Sequence, residues 1–145
     1  MITSDTICAQ ATAQGGAISV IRVSGQNAIE ITSRIFSKDI TKAKGYTLHY
    51  GHITDPQQEG ANIIDDVLVS VFRSPHSYTG EDSTEISCHG SRFIVQKILE
   101  ALIFSGARLA TPGEFTKRAF IAGKMDLSQA EAVAAFYLGA KLRFL

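Results

Sequence analysis

Five segments of the chain carry apolar residues in alternating or continuous runs, which predicts five β-strands. Residues 6–12 alternate between two sets of side chains, as expected of a strand with two different faces. Residues 17–23 and 67–72 are apolar runs rich in β-branched side chains, which is typical of buried strands. The five predicted strands cover residues 6–12, 17–23, 46–53, 67–72 and 83–88.

The last of these strands has one polar face. Ile86 and Cys88 lie on one side of it, whereas Ser83, Glu85 and Ser87 lie on the other. Because successive side chains of a strand point to opposite faces, we expect the polar side to be directed away from the core, toward solvent or a ligand.

Apolar residues spaced three and four positions apart predict two helices between the strands. The first covers about residues 26–36, and Ser24 is predicted to be its N-cap. The second covers about residues 91–105, and Gly106 is the glycine expected just after its end.

Two further helix starts follow near the end of the chain. Thr111 and Glu114 have the spacing of a capping box, with Pro112 at the first helical position. Asp126 or Ser128 can cap the next helix. Strands interrupted by helices, with hairpin-like turns between some of them, predict an α+β fold with a mixed sheet and flanking helices.

The composition fits one globular domain without a strong charge of its own. The chain has 145 residues, close to the usual size of one domain, and its 14 basic and 14 acidic residues cancel. Phosphate contacts require a clustered positive field, so we do not expect this chain to bind nucleic acid by itself.

Cys8 and Cys88 are the two cysteines of the chain, and each lies in a predicted strand, where cysteine acts as a small apolar filler. Without a Cys-x-x-Cys or Cys/His cluster, no metal site is expected. Residues 1–5 lack the basic and apolar regions of a leader, and no segment is long enough to span a membrane. We therefore expect a cytoplasmic protein.

Three charged residues are hard to explain by folding alone. Arg22 and Glu85 lie in the middle of predicted strands, and Lys124 follows a glycine between two predicted helices. Ordinary salt bridges or a solvated strand edge would account for them. Alternatively, they line a pocket in which the acid accepts hydrogen bonds from a heterocycle and the cations meet carboxylates. The residues alone leave both interpretations open.

The known nucleotide-binding motifs do not match. Gly123-Lys124 is followed by Met125, where a phosphate-binding P-loop requires Ser or Thr. Gly15-Gly16 lacks the glycine spacing of a dinucleotide-binding loop. We therefore expect neither kind of nucleotide site in this chain.

Two features near the predicted polar strand allow two interpretations each. His89 could be a general base, but a buried histidine that fixes the turn is the interpretation we favour. Residues 78–82 are either a loop that cradles a ligand or a plain turn.

Several ordered blocks carry a resemblance to a known family. They are Asp5-Thr6-Ile7, Gln10-Ala11-Thr12, Ile21-Arg22-Val23-Ser24-Gly25, Pro75-His76-Ser77-Tyr78-Thr79-Gly80-Glu81-Asp82 with Glu85 and His89-Gly90, Pro112-Gly113-Glu114-Phe115-Thr116-Lys117-Arg118-Ala119-Phe120, Gly123-Lys124-Met125-Asp126-Leu127 and Gln129-Ala130-Glu131-Ala132. Over about residues 5–134 the chain thereby resembles the start of the tRNA-modification GTPase family MnmE, also called TrmE.

The resemblance implies a fold similar to the folate-binding domain of glycine-cleavage aminomethyltransferase. It implies that residues 1–122 bind a tetrahydrofolate, such as the 5-formyl derivative, and form a homodimer. The motifs carry the folate contacts of the family onto Arg22, Glu85 and Lys124. Residues 123–145 would begin a truncated helical domain with an atypical tail.

The resemblance also implies partners outside this chain. Full-length members work with a flavin-dependent protein, MnmG (also called GidA), and install an aminomethyl or carboxymethylaminomethyl group at C5 of the wobble uridine of certain tRNAs. A separate G domain of those proteins uses GTP, Mg²⁺ and K⁺. The present chain, without that domain, is not expected to hydrolyse GTP or to carry catalytic residues.

The chain departs from the family pattern in two places. Residues 13–16 are shorter than the family's glycine-rich turn and lack its arginine, and the residues after Ala134 do not match. Two alternative functions stay open. One is a stand-alone enzyme resembling a folate-dependent aminomethyltransferase, with His89 or Asp82 as acid or base, and the other is a structural dimer module without a ligand.

Overall fold

The computed structural model describes residues 5–60 and 62–143, which form one six-stranded mixed sheet and four helices. The predicted α+β class is therefore confirmed. The strands are β1 (Ile7–Gln10), β2 (Ile18–Ser24), β3 (Thr47–Thr54), β4 (Ile63–Phe72), β5 (Ser83–His89) and β6 (Arg108–Leu109), and the helices are α1 (Ala28–Ile35), α2 (Arg92–Phe104), α3 (Glu114–Ile121) and α4 (Leu127–Arg143).

The sheet has the strand order β3-β4-β5-β2-β1-β6. Its pairs are antiparallel except for β1 with β6, which is parallel. The β2 strand lies inside the sheet and pairs with β5 along its whole length, from Ile18 opposite His89 to Ser24 opposite Ser83. This pairing sets Arg22 directly opposite Glu85.

The hydrophobic core lies between one face of the sheet and the helices α1 and α2. The sheet contributes alternate residues of its central strands, such as Ile21 and Val23 from β2 and Ile86 from β5, all fully buried. Both helices bury a stripe of residues spaced three and four positions apart, as the sequence predicts, although Leu99, expected in the stripe of α2, is only partly buried. The buried helix residues are Ala28, Ile29, Ile31, Thr32 and Ile35 in α1 and Val95, Ile98, Ala101 and Leu102 in α2.

The opposite face of the sheet carries exposed apolar side chains beside its polar ones. Leu48 is 61% exposed and Tyr50 is 55% exposed, and Ile18 and Leu68 are exposed on the neighbouring strands. The register sets Tyr50 opposite Leu68, so these residues share one face. We call this surface, formed by Ile18, Leu48, Tyr50 and Leu68, the open face.

Ser24 does not cap α1, and that prediction is wrong. The residue is the last of β2, and α1 begins later, at Ala28, with no side-chain hydrogen bond at its N-cap Asn27. The buried Ser24 hydroxyl instead contacts the loop between β4 and β5. A serine shortly before a helical pattern fits the sequence rule for an N-cap. In the folded chain, however, the Ser24 hydroxyl forms its hydrogen bonds with Thr79 and Glu81 and not with α1.

The other predicted helix ends are largely realised. Ser91 caps α2 by accepting a hydrogen bond from the amide of Ile94. Asp126 and Gln129 form a complete capping box, since each side chain accepts a hydrogen bond from the backbone amide of the other residue. The predicted cap at Thr111 is wrong, because α3 begins at Glu114 with Gly113 as its N-cap, so Pro112 is not its first residue. The Glu114 carboxylate does accept from the Thr111 amide, but the Thr111 hydroxyl donates to that carboxylate and caps no amide.

Within the described residues, no helix combines the length and the apolar character that crossing a membrane requires. The two cysteines lie where the strand pattern predicts, in β1 and β5, and both are buried free thiols. Burial raises the pKa of the Cys8 thiol to about 12. Burial, and then the charge of Asp65, raises the pKa of the Cys88 thiol to about 11.

We therefore expect both thiols of the folded protein to react slowly with iodoacetamide at pH 8. The thiolate is the nucleophile, and at pH 8 roughly one Cys88 thiol in a thousand would be ionised. Mass spectrometry of a labelling time course measures this, with protein unfolded in guanidinium as the fully reactive control. Labelling of the native protein at the rate of the unfolded protein would contradict the expectation.

Candidate functional site

Arg22, Glu85 and Lys124, the three charges that the sequence leaves unexplained, line one pocket of about 380 Å³. The pocket lies at the end of the sheet where β4 ends and β5 begins. Its volume is within the range of small-molecule sites. The other lining residues are Tyr46, Phe72, His76, Ser77, Tyr78 and Ser83.

Arg22 and Glu85 form an ion pair across adjacent strands. The Nε atom of Arg22 donates to Oε2 of Glu85 at 3.1 Å, and the two side chains are 21% and 29% exposed. A single N–H···O contact joins them, so the terminal guanidinium nitrogens and the other carboxylate oxygen of these two pocket-lining residues keep hydrogen-bonding capacity. The salt-bridge interpretation and the pocket interpretation of these charges are therefore compatible.

Two aromatic rings hold the guanidinium of Arg22. Its Cζ atom lies 4.6 Å from the ring centroid of Tyr78 and 5.4 Å from that of Phe115. These distances are those of cation–π contacts. The hydroxyl of Tyr78 shares a hydrogen bond of 2.9 Å with Thr116, which ties the Tyr78 ring to α3. The positive group at the pocket wall is thus oriented before any ligand arrives.

Lys124 reaches the pocket from the turn between α3 and α4. Gly123 has a φ of +75°, and the Lys124 amide donates to the carbonyl of Ala119, so this turn closes α3. Gly80 allows the turn to approach the loop between β4 and β5, because a Cβ there would lie 2.8 Å from the Cβ of Ala122. Among the described residues Lys124 has no ion-pair partner, which leaves its ammonium group for a ligand.

A network of charged residues fixes the segments around the pocket. We call it the Arg118 cluster, and Arg118 is its least exposed member, at 10%. Arg118 contacts Glu81 at 3.1 Å, Asp5 at 3.0 Å and Glu114 at 3.3 Å, and Arg108 contacts both Asp5 and Glu114. The cluster therefore joins residue 5, the β4–β5 loop, β6 and α3.

Buried hydroxyl groups fix the same loop from its inner side. Ser24 shares a hydrogen bond of 2.6 Å with Thr79 and donates to Glu81 at 2.9 Å, and Ser83 donates to Ser24 at 3.2 Å. Residues 78–82 therefore combine features of both interpretations given above, the plain turn and the loop beside a ligand. Thr79 and Glu81 build a tightly bonded turn, while Tyr78 from the same turn lines the pocket.

His89 is not the buried histidine that we favoured from the sequence. Its side chain is 72% exposed, and Nδ1 lies 2.8 Å from Oδ1 of Asp65. The backbone amide of His89 also donates to Asp65, so the imidazole and the amide both contact β4 and neither contacts the turn after β5. His89 borders the open face beside Leu68 and Ser87 and does not line the pocket of Arg22 and Glu85.

Asp82, the other candidate acid, is held by the backbone. Its Oδ1 accepts a hydrogen bond of 2.8 Å from the amide of Ser74, and its Oδ2 lies 3.9 Å from Arg73. Like His89, it does not line the pocket. The structure therefore brings together the three predicted binding residues and separates them from both candidate catalytic residues.

Sequence reasoning missed the aromatic wall of the pocket. Phe72 is the last residue of β4, and the amide of Tyr46 donates to the carbonyl of Val71 just before β3 begins. The ring centroid of Tyr46 lies 6.1 Å from that of Phe72 and 6.1 Å from that of His76. The sequence does show an aromatic residue just before β3, Tyr46, and another at the end of β4, Phe72. The strand pairing that brings the two together is a long-range contact, which the sequence does not show.

Comparison with known proteins gives a consistent result. A family model described as the N-terminus of the GTP-binding protein TrmE matches residues 6–124. The chain is 61% identical over 138 residues to the tRNA modification GTPase MnmE of Bacteroides thetaiotaomicron, covering 92% of this chain and 29% of that protein. It is 58% identical to the same-named protein of Flavobacterium psychrophilum, with 92% and 29% covered, and 56% identical to that of Thermoanaerobacter pseudethanolicus, with 89% and 29% covered.

The Arg118 cluster makes stability depend on pH. Hydrogen bonds from Arg108 lower the pKa of Glu114 from 4.5 to about 2, against the opposing effect of burial. A carboxyl group with a lowered pKa in the folded state stabilises the fold fully above its unfolded pKa, and that contribution disappears as the pH falls through the folded pKa. The Glu114→Gln variant should therefore be less stable than the parent above pH 5, and the difference should shrink between pH 4.5 and 2.

Chemical unfolding of both proteins across this pH range measures the difference in the free energy of unfolding. Glu59→Gln, at an exposed position of the loop between β3 and β4, is the control and should differ little from the parent at every pH. A Glu114→Gln difference that is the same at pH 2.5 and pH 6 would contradict the assignment.

Proposed function

This chain belongs to the family of the TrmE N-terminus, and we propose that it is the tetrahydrofolate-binding and dimerisation domain of a tRNA modification GTPase. One observation carries the folate part of the proposal. An acid and two cations from distant parts of the chain, Glu85, Arg22 and Lys124, line the same aromatic-walled pocket.

The chemistry of the pocket suits a folate. A tetrahydrofolate has a pterin ring with N–H donors and a carbonyl, a planar benzoyl ring and a glutamate tail with carboxylates. Glu85 accepts hydrogen bonds from the pterin donors, and a charge-assisted pair of this kind fixes the orientation of the ring. Arg22 and Lys124 bind the carbonyl or carboxylate oxygens. When bound, the folate supplies a one-carbon unit, and the residues of this chain hold and orient it.

The remaining parts of the activity belong to a longer protein. The chain spans less than a third of the length of the relatives that it matches, 29% in each case given above. In the proposed arrangement, residues 1–122 form the folate domain and residues 123–145 begin a helical domain. A G domain using GTP, Mg²⁺ and K⁺, the flavin-dependent partner MnmG and the tRNA act with it in the cytoplasm to modify C5 of the wobble uridine.

The positions of His89 and Asp82 favour a binding role over a stand-alone aminomethyltransferase-like enzyme. Such an enzyme needs an acid or base at the one-carbon unit, within hydrogen-bond reach of the reacting atoms. Both candidates are engaged elsewhere, His89 with Asp65 and Asp82 with Ser74. Turnover of a folate by this chain without any partner would favour the enzyme instead.

The open face supports the dimerisation part of the proposal. Ile18, Leu48, Tyr50 and Leu68 form adjacent exposed apolar positions on paired strands. Apolar patches of this kind on a small domain are typical of association surfaces. A second copy related by two-fold symmetry would cover the same residues on both chains, which is the arrangement of most homodimers.

The folate proposal is tested by calorimetry with 5-formyltetrahydrofolate. We expect the parent protein to bind and Glu85→Gln to weaken the binding about tenfold or more, because hydrogen bonds to a charged group are the stronger ones. Glu30→Gln removes the same charge outside the pocket and should bind like the parent. The folate assignment fails if folded parent protein gives no binding heat with millimolar ligand, and a dimer that ignores folate would then be the purely structural module.

The dimer proposal is tested by sedimentation velocity at micromolar concentration. We expect the parent to sediment as a dimer and Leu48→Asp to shift it to the monomer, because the substitution buries a carboxylate in the apolar interface. Leu109→Asp is the matched control, since Leu109 is a leucine of similar exposure, 54% against 61%, on β6 at the opposite edge of the sheet. A parent protein that sediments as a monomer would refute this part of the proposal.

A further inference from the structure

Tyr46 has a backbone conformation that its residue type disfavours. Among the described residues it is the one non-glycine residue with a positive φ, which is 60°. An L-residue with a bulky side chain is strained in this left-handed region, where glycine is the usual choice. Strained residues of this kind persist where the surrounding structure forces them, and they concentrate at functional sites.

The surroundings of Tyr46 explain why the chain must turn there. Its amide donates to the carbonyl of Val71 at 2.8 Å, which begins the pairing of β3 with β4. Just before it, Gly45 lies against the backbone of Arg73, with 3.3 Å between its virtual Cβ and the Arg73 nitrogen. Arg73 in turn donates to the carbonyls of Thr41 and Ala43. These contacts hold the backbone at position 46, but none of them requires a tyrosine side chain.

Core packing does not account for the tyrosine either. The residue is 73% exposed, so its ring buries little apolar area. The ring plane of Phe72 is perpendicular to that of Tyr46, and the ring of His76 is tilted by 41°, so neither neighbour stacks face to face on it. Tyr78 is different, because its ring covers Arg22 and its hydroxyl is bonded to Thr116.

The ring of Tyr46 is nevertheless part of the pocket wall. Tyr46 lies beside β4 at the edge of the sheet, and Arg22 lies on β2, three strand spacings away, or about 14 Å at the usual spacing. The two residues therefore mark opposite ends of the pocket, with Glu85 between them on β5. An elongated ligand whose polar groups meet Arg22 and Glu85 extends toward the exposed ring of Tyr46.

We propose that Tyr46 is a ligand-binding residue, whose ring stacks on a planar aromatic ring of the molecule held by Arg22, Glu85 and Lys124. The inference rests on the proposed folate function and adds a contact to it. Aromatic stacking needs a rigid, exposed ring face at the pocket edge, and the forced backbone of Tyr46 presents such a ring. The strain at this position is then the consequence of keeping an aromatic side chain where glycine would fit better.

The test compares ligand affinity with stability in the same variants. Tyr46→Gly removes the ring and accommodates the positive φ, so we expect the melting temperature to stay the same or rise. The same variant should bind 5-formyltetrahydrofolate about tenfold more weakly in calorimetry, the size of effect seen when a stacking ring is lost. Tyr46→Phe keeps the ring and should bind within about twofold of the parent.

The outcomes separate the two levels of the proposal. Parent protein that does not bind the folate refutes the proposed function itself. Parent protein that binds, with Tyr46→Gly binding equally well, refutes the role of Tyr46 alone. A Tyr46→Gly variant with a sharply lower melting temperature, or one that loses binding only together with the dimer in sedimentation, would make Tyr46 a structural or interface residue and overturn the inference.

Discussion

The antiparallel pairing of β2 with β5 determines where the charged side chains of this domain lie. In the observed register Arg22 stands opposite Glu85, and Ser24 stands opposite Ser83. A shift by one residue would turn Arg22 into the core and expose Ile21, because side chains alternate between the two faces of a strand. The fully buried Ile21 and Ile86, which are also partners in this register, therefore hold the ion pair on the pocket side.

Polar contacts connect this pair of strands to the segments around the pocket and fix their positions. Ser24 and Ser83, at the end of the pairing, bind Thr79 and Glu81 of the β4–β5 loop. The Arg118 cluster then connects the same loop to α3 and to residue 5. Arg118 is only 10% exposed and faces three carboxylates. Removing it would take the ion-pair partner away from the half-buried Glu81, which is destabilising, whereas Asp5 and Glu114 would keep their contacts with Arg108. The pocket is thus built on contacts that a ligand does not have to provide.

The sequence predicts most of the strands and helices, and it singles out the three charged residues of the pocket. The predictions that failed did so for physical reasons that can be named. Mid-strand charges such as Arg22 are conspicuous because burial of an unpaired charge is costly, so each of them indicates a nearby partner or ligand. Ser24 misled the helix prediction because a hydroxyl at a strand end can satisfy a distant loop as well as a helix. The two-residue strand β6 has no period to detect. Strand alternation puts His89 on the polar face of Ser83, Glu85 and Ser87, so its exposure follows from the sequence, whereas its contact with Asp65 on another strand does not.

The pocket itself could be inferred only in part, because its aromatic wall depends on strand pairing. Tyr46 and Phe72 come together through the register of β3 with β4, which no local pattern reveals. Comparison with the family adds the identity of the chain, and the structure adds the geometry.

The charges of the pocket fit a ligand that is both polar at its ring and anionic at its tail. Arg22 and Glu85 neutralise one another and still present donors and an acceptor, so a neutral heterocycle can bind beside them without leaving an unpaired charge. Lys124, which has no ion-pair partner among the described residues, leaves the three-residue site with one net positive charge. That charge attracts an anion over a distance and does not fix its orientation, since an ammonium group binds as a point charge. The orientation of the ligand is then set by the ion pair of Arg22 and Glu85 and by the aromatic rings at the two ends of the pocket.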